Sequence, residues 1–423
     1  MRESTSVFAS LLLLPALVFA DTYLVEPDGT GDFPTIQAAL DASASGDIVE
    51  LADGVFRGDG NRDLDYGGRS VTVRSRSGSA ENCVIDPEGT ETEPHRAFQF
   101  RSGETADAVL SGVRIRGGWW DTAPYGGGIL IDHRSSPTIR GCDFIENAGS
   151  AVLCSVGCEP RFADCEFIGN QGTGGGGVWG RWASLTFERC VFIENTAGSG
   201  GAFHGDGCSA LFTGCDFIAN SAASAGAVMI LASNGFEFYD CFFKDNTGKH
   251  TGAVYQIIGV LILDGCTFVG NRGEDWGGAL STGKSTTDTI RSCTFVDNEG
   301  PCATLCLGEW EYTVDNTIIA FGRGGPGLAT SYSITLACCD IYGNEGGDWV
   351  GDIAPQYGMN GNISEDPLFC SAETFDFTLH GDSPCAPHSP PNAECDLIGA
   401  WPVGCGGTAT ERTTWGGVKS LFR

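Results

Sequence analysis

The 423-residue chain carries 54 acidic against 24 basic residues, a formal charge of −30. That balance excludes nucleic acid and anionic membrane as ordinary partners, because phosphate binding needs a basic face. It suits solubility outside a cell, and it keeps calcium open as a ligand, although no clustered calcium-loop signature is present.

Met1 to Ala20 reads as a secretory signal. Arg2 supplies the positive start, Val7 to Phe19 the apolar core, and Val18-Phe-Ala20 a small-residue cleavage site before Asp21. No later stretch approaches the length of a membrane span. Export permits disulfides. Residues 21–69 then read as an N-terminal cap and opening strand. Thr22-Tyr-Leu-Val is apolar, and Phe33-Pro-Thr-Ile-Gln-Ala-Ala-Leu predicts a short amphipathic helix with Thr35 as its cap. Asp47-Ile-Val-Glu-Leu-Ala follows as a strand. A helix over the first coil shields apolar side chains and edge groups that the end of a solenoid would leave bare.

From residue 70 to 344 the chain reads as repeating coils. The first full one, Ser70 to Asp86, holds Val71-Thr-Val73 and Cys83-Val-Ile85, and a longer one around Leu110 to Ile115 is interrupted by Trp119-Trp120-Asp121. Then Cys-x-Phe-x-x-Asn occurs seven times, at Cys142, Cys165, Cys190, Cys215, Cys241, Cys266 and Cys293, in steps of 23 to 27 residues. A fixed period of this length marks a solenoid, which buries one continuous core and so removes the two or three domains that length alone would suggest. Cysteine and phenylalanine stand two apart and share one face of a strand. A glycine phrase ending in an apolar residue, such as Gly175-Gly-Gly-Val178 or Gly200-Gly-Ala-Phe203, marks a second strand in most units. Asn316-Thr-Ile318 and Cys339-Asp-Ile341 continue the pattern.

Coils of short parallel strands put like on like about 4.8 Å apart. Phenylalanines stack inside, cysteines fill the space beside them as free buried thiols, and asparagines bond to one another at a tight corner whose left-handed backbone they tolerate. The fold expected is all-β: a single parallel β-helix of roughly eleven coils with a short N-terminal capping helix.

The Phe-x-x-Asn and Gly-Gly-Ala-apolar phrases resemble the repeats of polymorphic outer-membrane proteins of chlamydiae. The wider resemblance is to right-handed parallel β-helices of the pectin-lyase-like superfamily, and the Thr-Ile-Gln-Ala-Ala-Leu opening looks like that of pectinesterase-like members. The resemblance implies the fold. That superfamily mixes lyases, hydrolases, esterases, adhesins and structural proteins, so it leaves activity open.

Residues 345–406 read as a closing coil and a Cys/Pro-rich C-terminal cap, and 407–423 as a polar tail. Cys370, Cys385, Cys395 and Cys405 are expected to form one or two bridges of undetermined connectivity. Cys154 with Cys158, and Cys302 with Cys306, resemble halves of a zinc site, but about six coils (~29 Å) separate the pairs, so local disulfides or packing remain.

Candidate chemistry lies one residue beyond the glycine phrase. Registering the coils aligns Leu130, Leu153, Trp179, His204, Met229, Tyr255 and Ser281 in an outward column, with Arg181 and Asp206 beside it. Trp119, Trp120, His250, Asp275 and Trp276 lie on the turn preceding that strand. Trp179, His204, Tyr255, Trp120 and Trp276 are the candidate ligand-binding residues, since sugars stack on aromatic faces and bond to polar groups beside them. Ordinary outward stacking is the alternative. Arg181, His204 and Asp206 are the catalytic candidates, for a lyase-type proton abstraction. Asp132 and Asp206 fail as a glycosidase pair at about 14 Å, beyond the roughly 9.5 Å limit.

No serine elbow, phosphate loop or metal-ligand cluster is present. Two functions follow. One is a secreted or cell-surface, non-catalytic β-helix that binds extracellular polysaccharide or acts as an adhesion module. The other is a polysaccharide lyase or glycoside hydrolase working on the same face. Short coils with few long insertions favour the first.

Overall fold

A computed structural model describes residues 20–406 except 123–124, 234, 286–287, 310 and 331. The secretory reading of residues 1–19 and the tail at 407–423 lie outside the described residues. The chain winds as a parallel β-solenoid. Three long sheets run along it, thirteen, twelve and eleven strands deep, with a fourth of five two-residue strands.

The first sheet begins at Thr22–Val25 and Ile48–Leu51 and ends at Ile334–Ala337. Its depth corrects the expected eleven coils. The two additional rungs are those first two strands, which pair in register (Thr22 with Ile48) and continue to Thr72. They carry no cysteine–phenylalanine phrase, so the repeat could not count them. The helix Ile36–Ala42 buries Ile36, Ala39 and Leu40, and the Thr35 hydroxyl accepts from the Ala38 N–H as its N-cap.

The second sheet carries the cysteine phrase. Phe144, Phe167, Phe192, Phe217, Phe243, Phe268 and Phe295 stack with centroids 4.4–4.9 Å apart. Phe162, Phe187, Phe212 and Phe238 form a parallel stack from the first sheet at 4.7–4.9 Å. Separations near the coil spacing mean that each ring packs on its own counterpart.

The asparagines form a buried ladder. From Asn170 to Asn298 each side-chain carbonyl accepts from both the backbone and side-chain amides of the asparagine one coil earlier, as Asn195 does from Asn170 at 3.0 Å each. Their backbone is not left-handed, contrary to expectation. The residue before each takes that conformation: Glu146, Gly169, Glu194, Ala219, Asp245, Gly270 and Asp297, all at φ 53–65°. The asparagine instead follows the corner and satisfies amides that the sharp turn leaves without strand partners.

The ladder cysteines are free and buried. Burial pushes the Cys142 and Cys339 thiols up to about 12, which makes them poor nucleophiles. Cys302 bridges to Cys306, while Cys154 and Cys158 remain free. Among the closing cysteines, Cys370 pairs with Cys405. Cys395 reaches back to Cys338 on the last coils, and Cys385 is free.

The closing segment folds back over the outer face of the second sheet. Gly399 N donates to Asn316 O, Ala400 N to Thr294 Oγ1, and Trp401 Nε1 to Thr267 Oγ1, one coil further back at each step. Phe377 and its neighbours thereby cover Phe242, Val269 and Val296.

Candidate functional site

The third sheet, on which the glycine phrase ends, holds the candidate residues. Its strands align Leu130 with Leu153, Leu153 with Trp179, Trp179 with His204, His204 with Met229, Met229 with Tyr255 and Tyr255 with Ser281. Arg181 and Asp206 are register partners on adjacent rungs. Inward neighbours such as Val178, Phe203, Val228 and Val254 are fully buried, which fixes the face that the alternate residues present.

The column is less open than a plain strand face. His204 is 8% exposed and Met229 6%, while Trp179 and Tyr255 are half-buried. The cause is the turn before each strand. Backbone bonds align Gly174, Ser199, Ser224, His250 and Trp276 as a second ladder beside the first.

Bulk changes sides between the two ladders. Trp179, His204 and Met229 stand beside Gly174, Ser199 and Ser224, whereas Trp276 stands beside Ser281. A β-carbon on Gly174 would run into the Trp179 indole, so glycine there lets the ring lie down over the turn. The face thus has two aromatic platforms with a stretch of small turn residues between them.

The first platform is built on Trp179. Its ring meets Tyr125 at 4.9 Å and His204 at 5.9 Å, the latter with planes 9° apart. The Arg181 guanidinium sits 5.4 Å from the Trp179 ring and 5.3 Å from that of Trp182, within cation–π reach of both. Arg181 forms no ion pair among the described residues. The second platform groups His250, Tyr255 and Trp276, with His250–Trp276 at 4.9 Å and Tyr255–Trp276 at 5.2 Å. His250 also faces Asp275 at 3.3 Å. Trp120 joins neither platform; the Arg96 guanidinium covers its ring at 4.0 Å.

Several polar atoms here are buried without hydrogen-bond partners: both ring nitrogens of His204, Arg181 Nε, and Nε1 of Trp179 and Trp120. Burial dominates at His204 and lowers its pKa to about 4, opposed by Asp206 and assisted by Arg181. The imidazole is therefore neutral across the physiological range. Asp206 makes no hydrogen bond to it. The three catalytic candidates are brought together as neighbours, Arg181 and Asp206 in register and His204 on the rung of Asp206.

No group of three or more His, Cys, Asp or Glu able to hold a metal ion occurs among the described residues. No described helix is long and apolar enough to cross a membrane. Tyr125, Trp182 and Arg96 were not among the sequence candidates. Tyr125 sits just before Gly126-Gly-Gly, and Trp182 one residue past Arg181, so both fall outside the repeating phrases from which register can be read.

Fold and face together define a parallel β-solenoid with an aromatic stripe along one sheet. A family model described as the right handed beta helix region matches residues 59–199 and 176–341, and the chain belongs to that family. No curated protein matches the sequence.

Solved structures with a similar course include a mannuronic acid specific polysaccharide family 6 lyase from human gut microbiota. It has 11% identity and a TM-score of 0.48, over 82% of this chain and 92% of that one. The pectate lyase Pel9A has 13% identity and a TM-score of 0.47, over 92% and 98%. A pectin methylesterase from carrot has 12% identity and a TM-score of 0.34, over 86% and 98%. At such identities and scores these likenesses bear on neither substrate nor mechanism.

Proposed function

We propose that this chain is an exported β-helix protein that binds extracellular polysaccharide, without catalysis, on the stripe from Trp179 to Trp276. The observation that carries the reading is the pair of aromatic platforms on one face, with the Arg181 guanidinium against two indoles and no ion pair to it among the described residues. Aromatic faces stack on sugar rings, and preset donors bond to hydroxyl and carboxylate oxygens around them. The unlinked His204 and Asp206 favour binding over turnover.

Glycan-array binding, run beside a product assay on uronate and neutral polymers, tests this. Trp179→Ala and Tyr255→Ala are expected to weaken glycan binding without unfolding the coil. Unaltered affinity in both variants removes the stripe as the site. Unsaturated or shortened products from any polymer replace binding with lyase or hydrolase activity. Absence of all glycan binding leaves a structural rod.

A further inference from the structure

The spacing of the two platforms carries an inference about how a ligand must lie. Trp179 and Tyr255 occupy the same register position three coils apart, about 14 Å along the axis. Trp276 stands on the turn one coil further, about 19 Å from Trp179. Between them the turn ladder carries only Ser199 and Ser224, while the strand ladder carries His204 and Met229, both nine-tenths buried. Both ring nitrogens of His204 lack partners in this stretch.

We infer that the site is bivalent: a linear polysaccharide lies parallel to the solenoid axis and stacks on both platforms at once, its middle units crossing over Ser199 and Ser224. This rests on the polysaccharide-binding reading and specifies the ligand as a linear chain of several units.

The geometry disfavours the other orientation. A chain running along one strand meets a single rung of the column, and no rung carries both platforms: that of Trp179 adds only Trp182 at its end, and that of Tyr255 adds His250 on its turn. Rungs along the axis offer Tyr125, Trp179, His250, Tyr255 and Trp276 in sequence. Neither platform is joined to the other by a ring contact among the described residues, so each is a separate holding point. Two weak sites on a rigid scaffold, bridged by one ligand, gain affinity only once the ligand is long enough to span them. Affinity should therefore rise in a step as the oligomer lengthens, where a single continuous groove would give an even increase per unit.

The experiment is a length series. Wild-type protein, Trp179→Ala and Trp276→Ala are titrated calorimetrically with cello-oligosaccharides and with oligogalacturonides, each from disaccharide to octasaccharide. Circular dichroism confirms that all three are folded; Trp276 is 41% exposed, so its removal leaves the core intact. The wild type should show a jump of about a hundredfold between the lengths that reach one platform and both. Trp276→Ala should abolish the jump while keeping the short-oligomer affinity of the Trp179 platform. Trp179→Ala should do the converse.

A smooth rise with length, or an equal jump in the single variants, overturns bivalency while leaving polysaccharide binding in place. No binding of either series at any length overturns both readings together.

Discussion

Trp179 and His204 lie face to face on adjacent coils, with centroids 5.9 Å apart and planes 9° from parallel. The imidazole is buried there and makes no hydrogen bond among the described residues. Its pKa falls from 6.5 to about 4 as a result. Between those values the unfolded chain binds a proton that the folded chain refuses. Stability from this group is thus complete above pH 6.5 and is lost as the pH falls towards 4, by about 3 kcal/mol in total. Urea unfolding of wild type and His204→Phe on either side of this window checks it. The gap between the two should shift by that amount in favour of the variant at acid pH.

Asp340 titrates with the opposite sign. It is fully buried; its carboxylate accepts from Glu365 N at 3.1 Å and from the Cys385 thiol at 3.1 Å, with Glu365 and Asp348 as nearby like charges. Desolvation raises its pKa from 3.8 to about 7. Here the folded chain holds a proton that the unfolded chain releases. The contribution is fully present below pH 3.8 and is lost as the pH rises to about 7, on the order of 4 kcal/mol across the window. Asp340→Asn should flatten this part of the stability profile. An unchanged slope in the variant would show that Asp340 is ionised in the fold.

The asparagine ladder predicts a cost set by satisfaction of polar groups. Asn195 accepts from two amides of Asn170 and donates to Phe167 O at 2.8 Å. Asn195→Ala strands those buried groups in one step. With each orphan worth ~1–3 kcal/mol, the loss should reach about 3–5 kcal/mol even if neighbours relax. That equals the cost of deleting a core ring such as Phe217, estimated at ~3–5 kcal/mol. Denaturant melts of both variants provide the comparison.

The coil was readable because its determinants are local and repeated. Phenylalanine two beyond cysteine, and an apolar residue ending the glycine phrase, set the faces of two sheets and the register of Trp179 on His204. Where no phrase recurs the reading stopped short, as at Thr22–Val25 and Ile48–Leu51, whose pairing depends on partners many residues away. The bridge from Cys338 to Cys395 was hidden for the same reason: it joins a coil corner to a segment folded back over it. The stripe was located by register, but its depth was not. The burial of His204 and Met229 comes from the neighbouring turn ladder, whose small residues let large ones lie down. Spacing along a strand does not report that packing.

The closing segment gives a prediction about order of unfolding. It covers Phe242, Val269 and Val296 on the outside of the second sheet, is tied to the last coils by Cys338–Cys395 and is cross-linked within itself by Cys370–Cys405. Cys395→Ser removes the tie to the coil and should cost about 2–4 kcal/mol, confined to the segment. Limited proteolysis read by mass spectrometry should then cut within residues 366–405 before any coil strand. Simultaneous cutting throughout would mean that the coil needs the segment to stay folded.

Gly174 offers a control on the binding face that leaves every aromatic residue in place. Its position beneath the Trp179 indole admits no β-carbon, the three nearest atoms all belonging to the ring, and its φ lies outside the left-handed region that alanine would resist. Gly174→Ala should therefore push the indole off the turn and break its stack with Tyr125 and His204. The core strands lie on the other side of the sheet and should be untouched, with stability changed by less than about 1 kcal/mol. If the first platform holds a sugar, glycan affinity should drop as far in Gly174→Ala as in Trp179→Ala. Full affinity in the glycine variant, with the indole shown to have moved by its fluorescence, would mean that the ring's placement on this face does not matter for binding.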